Sequence, residues 1–138
     1  MKRFIEGNYI PFMFFLVILV GCSPDKKEEA SDLLEGEWIA QWDTDPSSFP
    51  EVPDASIYTM NGNFRFQEDE VTVTAFGFPG CIFSTDTLSH TLNWNMSNDT
   101  LSLVNDGDIY GMTYRVLEMK DKQVRLQLMD DITVTLLR

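Results

Sequence analysis

Few side chains in this 138-residue chain are equipped to react: there are two cysteines, Cys22 and Cys81, and one histidine, His90. A cysteine thiolate is a nucleophile and an acyl acceptor. Cys22 follows Leu19-Val20-Gly21, and the small Gly21 leaves the backbone before the thiol open to a peptidase. Cys81 lies between Gly80 and Ile82 with no adjacent base or cation to activate it. It reads as an inert, half-buried thiol, or as one that pairs between two molecules. His90 falls on the apolar parity of an alternating run, which suits a ligand contact, a general base, or a hydrogen-bonded core or rim histidine. No serine, cysteine or acid can be placed beside it from spacing, so no catalytic constellation is present and an enzyme is the least supported class. One histidine and one spare cysteine do not make a zinc site. Asp43-x-Asp45 and Asn105-Asp106-Gly107-Asp108 offer oxygens to calcium but lack the spaced glutamate of a calcium-binding loop, and turn chemistry accounts for both. No metal or cofactor is implied.

The elements around Cys22 agree with one another. Lys2 and Arg3 form a positive start, and residues 9–20 are an apolar run broken by Pro11. That run is too short to span a hydrocarbon core, which takes about 20 residues, but it suits an export signal. The order of charge, apolar run and Leu19-Val20-Gly21-Cys22 resembles the lipobox of bacterial lipoproteins. The resemblance implies cleavage after residue 21, lipidation of Cys22 and acylation of its new amino group. Several acyl chains together anchor stably where one does not, so the expected partner of this end is a membrane. Residues 22–32 read as the lipidated cysteine and a polar tether with too little apolar surface to fold. Lys27-Glu28-Glu29 resembles the short signal that sends some lipoproteins to the outer face of the outer membrane. It reads equally as solvated linker, so the expected location is the outer membrane with its face left open.

Charge narrows the partners further. The chain carries a formal −12, and losing Lys2, Arg3 and Glu6 with residues 1–21 takes the mature form to −13. Such a balance argues against nucleic acid, whose phosphates need Lys and Arg. It also repels anionic headgroups, which fits a domain held off the membrane by a tether. Residues 33–138 are enough for a single small core. Cys81 alone is left for redox chemistry there, so no internal disulfide is expected.

Within that domain the periodicity is two. Trp38, Ala40 and Trp42 share a face in a first strand over 36–42. Residues 43–56 hold Pro46, Pro50 and Pro53 and read as a long loop. Strand-like runs follow over 58–66 (with Asn61-Gly62 as a candidate turn), 71–75, 88–96, 101–103, 110–116, 124–128 and 132–138. Turn residues separate them. About eight short strands at regular spacing predict an all-β fold, an up-and-down antiparallel barrel or else a β-sandwich. Gly36-Glu37-Trp38 resembles the Gly-x-Trp that opens the first strand of lipocalins, and Arg138 resembles the late arginine that packs across that tryptophan. The resemblance implies a small lipocalin-like barrel with Gly36, Trp38 and Arg138 as structural residues. The second-loop motif and long C-terminal helix of true lipocalins are absent from the sequence.

If the parities hold, Trp38, Trp42, Phe64, Phe66, Trp94, Tyr110 and Tyr114 all face inward. Eight strands leave room for side chains or for one small ligand, so this aromatic set either fills the barrel or, with His90, lines a pocket for a small hydrophobic ligand. Asp86-Thr87-Leu88 and Asp99-Thr100-Leu101 repeat one tripeptide that resembles O-glycosylation sites of exported bacterial proteins, making Thr87 and Thr100 candidate acceptors. Two functions lead. One is binding of a small apolar ligand; the other is docking on a cell-envelope protein complex through the 43–56 loop.

Overall fold

The computed structural model describes residues 32–48, 50–51, 59–81 and 84–138. The leader, Cys22, the tether to residue 31 and residues 52–58 of the proline loop lie outside the described residues. The rest is a closed barrel of eight antiparallel strands in sequence order: β1 (Gly36–Thr44), β2 (Met60–Gln67), β3 (Glu70–Phe76), β4 (Thr87–Ser97), β5 (Thr100–Val104), β6 (Gly111–Lys120), β7 (Gln123–Met129) and β8 (Ile132–Leu137). β1 closes on β8, with Ile39 opposite Leu137 and Thr44 opposite Ile132. A sandwich has no such pairing, so the barrel is the fold.

Tight turns enforce the meander. Glu68 and Asn98 take positive φ, 47° and 55°, at the first central position of the two-residue β2–β3 and β4–β5 turns. Turns of this hand match the twist of the strands they join. Inside, alternate residues interdigitate. Trp38, Phe64, Phe66, Tyr114, Leu126 and Leu136 are almost wholly buried, each contributing about 1.5–3 kcal/mol through area removed from water. Phe64 sits at the centre, 5.6 Å from Trp42, 5.9 Å from Phe66 and 6.2 Å from Tyr114 between ring centroids. Outside, hydroxyls pair across β3 and β4, Thr72 with Thr91 at 2.9 Å and Thr74 with Ser89 at 3.1 Å.

Three sequence expectations need correction. Asn61-Gly62 is not a turn, because β2 runs straight through it opposite Gln41 and Ala40. Glycine is there for close approach: a Cβ on Gly62 would stand 2.0 Å from the Thr74 carbonyl oxygen and 2.9 Å from the Trp42 ring. Next, β1 extends to Thr44, so the loop begins at Asp45, where Pro46–Ser48 make a short 3-10 turn. Lastly, the parity of β6 does not hold along its length. It starts at Gly111, leaving Tyr110 outside it, and a register shift between Val116 and Glu118 brings Met119 against the core.

The end of the barrel at which the described chain begins is plugged. A helical turn over 32–34 lays the fully buried Leu34 across it, and the Trp38 indole N–H donates to the Leu34 carbonyl at 2.7 Å. Gly36 takes φ of +108°, which turns the chain from that helical turn into β1 and which side-chain-bearing residues avoid. The Arg138 guanidinium stands 4.2 Å over the Trp38 ring. Its nitrogens also donate to the carbonyls of Asp121 at 2.7 Å, Glu35 at 2.9 Å and Leu33 at 2.7 Å. The last residue therefore ties the helical turn, the β6–β7 turn and the first strand together.

Candidate functional site: the open end of the barrel

The opposite end is built differently. Within the closed half, inward positions carry Trp38, Phe64, Phe66 and Trp94, and Phe66 and Trp94 meet edge to face at 5.5 Å. Towards the mouth, β3 supplies only Val73 and Ala75. Small side chains at inward positions leave volume unfilled. Strand pairing adds to the opening. β5 stops at Val104 opposite Asn93, so Thr87 to Leu92 of β4 pair with β3 on one side and, among the described residues, with no strand on the other. The result is an open cup of about 490 Å³ in the mouth, between β3, β4, β5 and β6. Its wall is mainly apolar, made by Val73, Ala75, Leu88, Leu92, Leu103 and Met112.

Ser89, His90 and Asn105 are polar residues of this wall, and the Ser89 hydroxyl is paired with Thr74 on the outer face. The His90 imidazole N–H at Nε2 donates to Asn105 Oδ1 at 2.6 Å, and Asn105 Nδ2 donates to Asp108 Oδ2 at 3.0 Å. This chain ties the loop after β5 to the stretch of β4 that β5 leaves uncovered. The geometry of this chain is that of a latch.

Placement of the residues expected from sequence to meet a ligand is uneven. Only His90 lines the cup, and it is exposed there rather than buried inside the barrel. Trp42, Phe64, Phe66, Trp94 and Tyr114 are buried in the core, so they fill the barrel instead of lining the opening. Tyr110 does not point inward: it lies in the loop before β6 and is 83% exposed. Burial pushes the Tyr114 hydroxyl up to about 12, partly offset by a hydrogen bond with the Trp42 side chain, so this phenol stays neutral and packed. Period-two reading found Leu88 and Leu92 as inward-facing, but Val73, Ala75 and Met112 carried no signal that separated cup from core.

The acidic residues after β1 are held by local hydrogen bonds. Asp43 accepts from the Gln41 amide and the Thr59 hydroxyl, each at 3.0 Å. Asp45 accepts from the Ser47 hydroxyl at 2.7 Å and its backbone N–H at 2.8 Å, and those bonds hold its carboxyl below the usual range. Among the described residues no three His, Cys, Asp or Glu side chains gather to hold a metal. Cys81 is a half-buried free thiol. Thr87 is exposed at the first position of β4, and Thr100 is half-buried at the first position of β5, with its hydroxyl 3.5 Å from the Asp99 carboxylate. Comparison of the chain with family models, with curated proteins and with solved structures finds no match in any of the three.

Proposed function

We propose that this is a lipid-anchored, lipocalin-like protein of the outer membrane that holds a small apolar ligand in the cup at its open end. The observation that carries this reading is the cup wall itself. Leu88 and Met112 are 50% and 41% exposed although both line a concave, mainly apolar surface. Covering such groups is favourable by about 25 cal/mol per Å² removed from water, and preformed apolar clefts of roughly 300–1,000 Å³ are the usual lodging of small molecules. The location rests on the leader, the Leu19-Val20-Gly21-Cys22 tetrapeptide and the charge balance. The described chain enters at the plugged end, so a tether attached there leaves the mouth on the far side of the barrel. Docking on an envelope protein is the second reading, and it is favoured by the side-by-side exposure of Ile109 and Tyr110, 84% and 83%.

A fluorescence titration separates the two. All eight strands follow Gly36, so a soluble form beginning at Ser23 retains the barrel. Its mixture with a naphthylamine probe should show enhanced, blue-shifted emission at micromolar concentrations. Leu88→Glu sets a carboxylate into the wall and should weaken the probe about tenfold or more, which is 1.4 kcal/mol or above. Tyr110→Ala should leave it unchanged. No enhancement with the wild type, or equal binding by Leu88→Glu at an unaltered melting temperature, would contradict a cup ligand.

A further inference from the structure

Charge is distributed unevenly about the cup. The described residues of the four connections at the mouth, within 45–59, 77–86, 105–110 and 130–131, contain seven carboxylates and no lysine or arginine. From Arg65 to Arg115 the sequence has no basic residue except His90, so β3, β4 and β5, which form most of the wall, carry no fixed cation. Lys120, Lys122 and Arg138 belong to the plugged end, where Arg138 is spent on carbonyls and the Trp38 ring. Arg65 stands 3.7 Å from Glu37 on the outer wall. Asp86 lies two residues before Leu88, and Asp106 and Asp108 follow Asn105. An apolar cup thus opens into a rim of one sign, and the polar groups of its wall already have partners, His90 with Asn105 and Ser89 with Thr74.

We infer that the ligand is a cationic amphiphile, its apolar part seated among Leu88, Leu92, Leu103 and Met112 and its positive group held at the mouth by Asp86, Asp106 and Asp108. This rests on the apolar-cup reading and adds the head-group sign to it. A fatty acid or alkyl sulfate seated the same way would bring its anion among carboxylates with no cation to receive it. A neutral head gains nothing from the rim. Field lines from a one-signed cleft also raise the local concentration of the opposite charge, an effect that salt suppresses.

The test uses three decyl amphiphiles below their micelle concentrations, a trimethylammonium, a maltoside and a sulfate, competing with the naphthylamine probe for the Ser23 form. Tetramethylammonium, which has no tail, is the control for non-specific attraction. The trimethylammonium should bind one to one and about tenfold or more tighter than the maltoside. The sulfate should be weakest, and tetramethylammonium should not compete. That preference should shrink as salt rises from about 50 to about 500 mM, and in Asp86→Asn with Asp106→Asn, whose maltoside affinity should stay unchanged. Equal trimethylammonium and maltoside binding, tighter sulfate binding, or a preference untouched by the double variant would overturn the head-group assignment while leaving the apolar cup standing. Failure of all three, with no probe binding either, would remove the cup reading as well.

Discussion

Arg138→Ala is expected to destabilise the barrel by about 2–3 kcal/mol. Hydrogen bonds from a charged donor are each worth about 1.5–3 kcal/mol when well shielded, and a cation over an indole about 0.5–2 kcal/mol. The guanidinium of Arg138 makes three such bonds as well as the ring contact. Its partial exposure keeps the total well below their sum. For a domain of this size each 1 kcal/mol moves the melting temperature by about 4–8 °C, so the shift is easily read in a thermal melt. Arg138→Lys should recover little, because an ammonium cannot reach three carbonyls and lie flat on the ring. Trp38→Phe should make Arg138→Ala less costly, with a coupling of about 0.5–1.5 kcal/mol. Additive single and double variants would mean that the ring contact contributes nothing to closure.

The second large effect concerns the anchor. Cys22→Ser is expected to abolish incorporation of a fatty-acid analogue and to leave the chain uncut, with its apolar leader still attached. Serine is too weak a nucleophile at neutral pH to replace a thiol. Stable anchoring needs more than one acyl chain, so loss of the thiol should move the protein out of the outer-membrane fraction altogether. A Cys22→Ser chain that still carries label and still fractionates with the outer membrane would overturn the lipoprotein reading.

Much of the barrel was legible because strand periodicity is a local property. Leu88, His90, Leu92, Trp94 and Met96 alternate with polar residues, and the structure places all of them on one face of β4. The ends of the molecule were legible as well. Gly36 and Trp38 sit where the first strand must start, and Arg138 is the cation that meets them. What sequence could not give was depth along the barrel axis. Period two says which face a residue takes but not whether that face is packed or open. His90 and Trp94 share a parity, yet Trp94 is buried and His90 is exposed at the mouth. The difference arises because β5 ends opposite Asn93, a fact of strand pairing that appears nowhere in β4 itself. Tyr110 was misplaced for a related reason: its parity matches Met112 and Tyr114, but β6 starts one residue later. Gly62 misled in the opposite sense, since Asn61-Gly62 is a strong hairpin signal and the requirement for glycine comes from Thr74 on the neighbouring strand.

The most direct measurement on the central claim, that the cup at the open end is where a ligand is held, is an amide chemical-shift map. The Ser23 form, labelled with nitrogen-15, is titrated with the decyl trimethylammonium. Shifts should concentrate on Val73, Ala75, Leu88, His90, Leu103, Asn105 and Met112, while Trp38, Leu34 and Arg138 at the plugged end stay still. Shifts centred on the plugged end, or confined to Ile109 and Tyr110 with Leu88 and Leu103 unmoved, would contradict a ligand seated in the barrel mouth.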